Sequence, residues 1–252
     1  MIRRPPRSTQ SRSSAASDVY KRQAFYDLSG GPLTVGTDPL AVFYLAIGEQ
    51  GASQFNHTGG MATVTELRVG TGARGSDLYM SGLSGSYSLS GTGQLLAESE
   101  SIGLCGLGLF THAAGANTAS GTISLGTMAQ GDGTCNLSGE SSRVSAADLV
   151  VGDAGKGTFL HMGGTVTTSA GVVVGRSATA DGYYQYDCTG NQPLTPGLIA
   201  GDAGRGVFVQ DNGALNVAGG ITLGHSGTGN GTYFLNQGGA EYLRPDNRPR
   251  RR

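Results

Sequence analysis

Leu149-Val150-Val151-Gly152-Asp153-Ala154-Gly155 returns 49 residues later as Leu198-Ile199-Ala200-Gly201-Asp202-Ala203-Gly204. The same interval separates Gly103 from Gly152, and it also separates Gly126 from Gly175 and Gly175 from Gly224. The aromatics Phe110, Phe159 and Phe208 keep the same beat. Fixed-period self-similarity marks a solenoid, in which each unit buries its apolar face only by stacking on its neighbours.

Each 49-residue unit divides in two. Tyr halves cover 86–108, 134–157 and 183–206, with an incomplete copy at 232–239. Phe halves cover 109–133, 158–182 and 207–231, with looser first copies from Phe25 and Gln54. Each half holds three short alternating stretches bounded by Gly, Asn, Asp or Ser, which is the strand signal. No helical period survives beyond a turn. The reading is all-β, a parallel β-helix or β-solenoid of about eight rungs of ~24 residues, each rung having three faces. Residues two apart, such as Leu149/Val151, Val172/Val174 and Ile221/Leu223, are expected to point inward. Gly152-Asp153 and Gly201-Asp202 read as one repeated corner, with glycine supplying φ > 0 and the carboxylates bonding their own turn amides.

Composition agrees with this reading. The 252 residues include 45 Gly and no Trp, and only 14% are charged. The net charge of −1 conceals a basic stretch at each end around an acidic body, because residues 24–243 hold six basic and sixteen acidic side chains. An acidic body argues against nucleic acid and anionic membrane as partners. No stretch reaches the ~20 apolar residues of a membrane helix, and no apolar h-region follows Arg3, Arg4 and Arg7. Cys105, Cys135 and Cys188 are too few and too irregular for a disulfide framework or zinc site and read as unpaired thiols. Cys135 stands where other units carry Tyr87, Tyr184 and Tyr233.

The half-units resemble the Gly-rich repeats of exported bacterial proteins, namely autotransporter passenger-like β-solenoids and PEP-CTERM-associated repeat proteins. The resemblance rests on Tyr87-Ser-Leu89-Ser-Gly91, Ile102-Gly103, Phe159 with Gly163-Gly164-Thr165-Val166, and Val174-Gly175. It covers about 24–240 and implies an extracellular or cell-surface location. Residues 1–23 resemble translated sequencing-adapter sequence and are read as a disordered, non-native segment. Residues 244–252 read as a basic disordered tail. The single solenoid domain is expected to span 24–243, to be truncated at both ends and to fray or self-associate there.

Several constellations were weighed for chemistry. His57, His112 and His161 each follow a repeat aromatic by two residues, with Gln210 in the same slot after Phe208. Rungs of alternating type would place these imidazoles ~9.6 Å apart, too far to share one zinc ion, so they read as a polar, outward slot. Asp153/Lys156 and Asp202/Arg205 are repeated corners rather than a cleft; the carboxyls could approach the ~6.5–9.5 Å of an inverting glycosidase, but turn formation accounts for the repetition. The calcium nonapeptide is absent. Gly70–Gly75 matches GxGxxG by letters in a glycine-rich chain without a βαβ context. Asn56, Asn136 and Asn230 head glycosylation acceptor patterns. Glu100 falls in the slot of Leu149 and Leu198 and must turn outward or find a partner. An insertion at 73–85 and an expansion around 32–43 are the places for functional loops.

No catalytic, cofactor-binding or metal residue is assigned from these patterns, and no cofactor is expected. The leading expectation is a non-catalytic structural or adhesin-like surface protein whose partners are surface glycans or other cell-surface proteins. The alternative is a carbohydrate-active or carbohydrate-binding β-helix acting on polysaccharide, with a site near Asp77.

Overall fold

The computed structural model describes residues 24–35, 44–49, 51–72, 84–191 and 195–236. The expectations for 1–23, 244–252, most of 32–43 and nearly all of 73–85, Asp77 included, lie outside these residues. The first rungs contain β1 (Ala24–Leu28), β2 (Pro32–Val35), β3 (Tyr44–Ile47), β4 (Ser53–His57) and β5 (Met61–Val69). The middle rungs contain β6 (Ser84–Leu89), β7 (Gln94–Ile102), β8 (Leu107–His112), β9 (Ala116–Ala119), β10 (Thr122–Leu125), β11 (Asp132–Leu137) and β12 (Arg143–Val151). The last contain β13 (Lys156–His161), β14 (Thr165–Val174), β15 (Asp181–Asn191), β16 (Leu198–Ala200), β17 (Arg205–Ala214), β18 (Ile221–Leu223) and β19 (Asn230–Leu235).

The molecule is a parallel β-solenoid, as its period implies. Nine strands form the first sheet in the order β1-β4-β6-β8-β11-β13-β15-β17-β19. The second sheet runs β18-β16-β14-β12-β10-β7-β5-β2, with β3 and β9 completing it. The three expected faces therefore merge into two sheets. β9 pairs with the first part of β7 and β12 and β10 with the last part, so one rung keeps two strands where its neighbours run through a bend. The bend is recorded as a register shift between Ala146 and Asp148. No helix occurs among the described residues, and none is long and apolar enough to cross a membrane.

Alternation decides what enters the lumen. Leu149, Val151 and Val174 are fully buried and Val172 nearly so, as their spacing implies. Ile221 and Leu223 have the same spacing but are 45% and 49% exposed. They belong to the last second-sheet strand, which pairs only with β16 among the described residues. A parallel strand with one neighbour leaves its inward side chains uncovered.

The corners are built on glycine. Gly103, Gly126, Gly152, Gly175, Gly201 and Gly224 all have φ between 65° and 77°, a region costly for residues with a Cβ. Their amides form a continuous ladder, for example Gly126 N–H to Ile102 O at 2.8 Å and Gly152 N–H to Leu125 O at 2.9 Å. The opposing strand then packs on that ladder too closely for a side chain. A Cβ at Gly133 would lie 2.0 Å from Ile102 O, whereas one at Gly227 would meet nothing within 4 Å. Gly133→Ala should therefore cost about 2–3 kcal/mol or more, and Gly227→Ala should stay within roughly 0.5 kcal/mol of the parent. Urea melts of both variants check this; equal costs would refute the packing account.

Candidate functional site

The first sheet aligns one inward residue per rung. Tyr26, Phe55, Tyr87, Phe110, Cys135, Phe159, Tyr184, Phe208 and Tyr233 occupy successive positions of one column. Ring centroids stack 4.8–5.1 Å apart from Tyr26 to Phe110 and 4.7–5.3 Å apart from Phe159 to Tyr233. Offset stacks of this kind contribute about 0.5–1.5 kcal/mol per pair beyond area burial. Cys135 interrupts the stack and is buried, as its place in the Tyr slot suggests. All three cysteines are unpaired thiols.

Two residues on, the neighbouring column reads Leu28, His57, Leu89, His112, Leu137, His161, Tyr186, Gln210 and Leu235. The outward-slot reading of the histidines is wrong. His57 and His112 are 0% exposed and His161 1%, because strand alternation places them on the same face as the aromatics. Their polarity serves the corner. Nε2 of His57 and of His112 lies 3.1 Å from the carbonyl of Gly60 and Gly115, and that of His161 lies 3.5 Å from Gly164 O. The Gln210 amide donates to Gly213 O at 2.7 Å. The pattern is therefore Phe-x-His/Gln-x-x-Gly, a side chain that clamps the turn leaving the first sheet. It is visible in the sequence once the slot is assigned to the lumen.

A carbonyl only accepts, so Nε2 carries the proton and Nδ1 is an acceptor. The next rung supplies the donor. Tyr87 donates to His57 Nδ1 at 2.8 Å and Tyr184 to His161 Nδ1 at 2.9 Å, and Tyr233 donates to Gln210 Oε1. Intervening Leu89 and Leu137 separate the histidines by two rungs, as the sequence spacing requires. No group of three metal-ligating side chains converges among the described residues.

Glu100 turns inward and finds a partner. It is 1% exposed and accepts from Asn117 Nδ2 at 3.1 Å. Burial pushes its carboxyl up to about 7, opposed by the Asn117 hydrogen bond. The corner aspartates also depart from expectation. The bonds they make run between rungs: Asp153 accepts from Ser124 at 3.2 Å and lies 3.7 Å from Arg176, and Asp202 pairs with His225 at 2.8 Å. Ser124 and Arg176 belong to the rungs on either side of Asp153. A second ladder pairs Lys156 with Asp132 and Arg205 with Asp181.

The outer face of the first sheet carries a groove of about 810 Å³ along the solenoid axis. Its floor is the outward column Phe25, Gln54, Ser86, Leu109 and Thr134, flanked by the Asp132–Lys156 pair. Hydroxyls, an amide and apolar surface alternate there, and among the described residues that line it Asp132 is matched by Lys156.

The interior sets the pH response. Desolvation lowers His57 and drives His112 and His161 down to about 4. These three remain neutral in the folded chain while the unfolded chain protonates them from about 6.5 downward. Their contribution is lost as pH falls from 6.5 toward 4. Glu100 acts oppositely: its contribution is present below about 4.5 and lost as pH rises through about 7. Three groups outweigh one, so Tm should fall between pH 6.5 and 4.5. His161→Gln should reduce that fall by roughly half, since one of three destabilising groups is removed while Glu100 still opposes the rest, and glutamine already holds this slot at position 210. Circular dichroism melts across the interval check it; a Tm independent of pH would refute the buried neutral histidines. No protein family, curated protein or solved structure matches the chain.

Proposed function

We propose that this chain is a non-catalytic, extracellular or cell-surface repeat protein, a rod that presents a repeated outer face to glycans or to neighbouring surface proteins. One observation carries the reading: the strongly perturbed titratable groups are lumen-facing and committed to corner clamps or packing. Four outward ion pairs, Asp132–Lys156, Asp153–Arg176, Asp181–Arg205 and Asp202–His225, each join one rung to the next. Catalysis needs a nucleophile or acid–base pair that a substrate can reach. A rod needs only a repeating pair of complementary rungs, each rung adding about 4.8 Å. The resemblance to exported bacterial repeats supports the location.

A specific observation favours carbohydrate binding as a second reading. The groove over Gln54, Ser86, Leu109 and Thr134 is elongated and near-neutral, with hydroxyl and apolar surface side by side. Those features suit an uncharged glycan chain lying along the axis, with sugar hydroxyls on the polar groups and sugar C–H faces on Leu107 and Leu109.

Two measurements test the proposal. Antibody against residues 24–236 should label intact source cells without permeabilisation; labelling only after permeabilisation would overturn the location. On a glycan array, neutral polysaccharides should bind without turnover, and Leu109→Asp should weaken binding roughly tenfold, about 1.4 kcal/mol. Release of product from pectin or alginate would overturn the non-catalytic reading.

A further inference from the structure

Three buried polar atoms on two adjacent rungs of the lumen have no partner among the described residues: Glu100 Oε1, His112 Nδ1 and Asn117 Oδ1. Their residues are 1%, 0% and 3% exposed. They come from three successive strands, β7, β8 and β9. Asn117 donates its Nδ2 to Glu100 Oε2, which orients the amide and leaves Oδ1 as an acceptor. His112 donates its Nε2 proton to Gly115 O, which leaves Nδ1 as an acceptor.

A neighbouring residue explains why no tyrosine hydroxyl reaches His112. His57, His161 and Gln210 each receive a tyrosine hydroxyl from the following rung. The rung after His112 carries Cys135 in the tyrosine position. A thiol on a single methylene cannot reach where a phenol oxygen would lie. The substitution also removes a ring from the aromatic column between Phe110 and Phe159, two rungs or ~9.6 Å apart. Burial raises the Cys135 thiol and the Tyr87 phenol, and the nearby Glu100 carboxylate adds to both, so Glu100 belongs to the same region. The smaller side chain and the missing hydroxyl therefore coincide at Cys135.

We propose that the lumen beside Cys135 is an internal hydration site, in which one or two ordered water molecules donate to His112 Nδ1 and Asn117 Oδ1 and hydrogen-bond the free oxygen of Glu100. Water suits the site because His112 Nδ1 and Asn117 Oδ1 demand a donor, while the Glu100 oxygen accepts when ionised and donates when protonated, and water serves either. It has two hydrogens to give and needs two to four polar partners. A metal ion does not suit it, since no three ligating side chains converge among the described residues and burial holds the Cys135 thiol protonated.

The test is the crystal structure of the chain at a resolution that shows ordered water, together with Cys135→Tyr and Cys135→Phe. The parent should show a water about 2.7–3.2 Å from His112 Nδ1. Cys135→Tyr should expel it, place its hydroxyl on His112 and raise Tm by roughly 2–4 °C. Cys135→Phe should fill the volume without the donor and gain less. A dry lumen in the parent, or a phenylalanine variant as stable as the tyrosine one, would overturn the proposal. Should neither variant fold, water-to-protein NOEs at Cys135 and His112 in the parent decide alone: their presence supports the site and their absence refutes it.

Discussion

Everything in this solenoid depends on the parallel pairing that holds each inward side chain over its counterpart in the next rung. The register of the first sheet is unbroken at the aromatic position from Tyr26 to Tyr233. One residue of slip would turn the whole inward set to solvent. The glycine ladder makes that register possible, because a Cβ on Gly133 or Gly231 would strike the carbonyl of Ile102 or Ala200. Stacked rings, corner clamps and outer ion pairs are consequences of a spacing that backbone contact has already set.

The 49-residue period then has a physical cause. One rung is about 24 residues, so the sequence could repeat at that length, and it does not. Adjacent rungs are complementary rather than identical. A Phe rung supplies the histidine or glutamine that clamps its own corner, and the following Tyr rung supplies the hydroxyl that satisfies the remaining acceptor. Charges alternate in the same way, Asp132 against Lys156 and Asp181 against Arg205. Two like rungs in succession would leave acceptors facing acceptors and acids facing acids. The exposed ion pairs contribute little to stability individually, but their alternation discriminates against a shift by a single rung.

Much of the fold was legible because it is written in spacing. Glycine intervals gave the rung length, and alternation gave the lumen-facing residues Leu149, Val151, Val172 and Val174. The merging of three faces into two sheets was not legible, since it depends on whether a stretch such as 116–125 breaks or runs through its bend. The inward face of the histidines was not legible, for a general reason. Periodicity assigns a face to a polar residue only when its strand phase is counted from a known inward neighbour. Phe55, Phe110 and Phe159 supply that phase, and it overrides the outward preference that polarity alone implies. Glu100 shows the converse. Its slot was correctly recognised as apolar, but its partner Asn117 lies 17 positions away on another strand, and no local pattern announces such a pairing.

The proposed function rests on the same division. Inside, polar groups are used to close corners; outside, hydroxyls, amides and paired charges repeat along the axis, and the proposed recognition by such a surface would gain from multiplicity rather than from one pocket. The central claim is that the polar ladder belongs to the interior as a set of neutral clamps. The most direct measurement is nitrogen-15 NMR of the imidazoles of His57, His112 and His161 at pH 6. The account predicts three neutral rings protonated at Nε2, with Nδ1 unprotonated and slow exchange of the ring proton. Rings that titrate together near pH 6.5 with fast exchange would place them in solvent and contradict it.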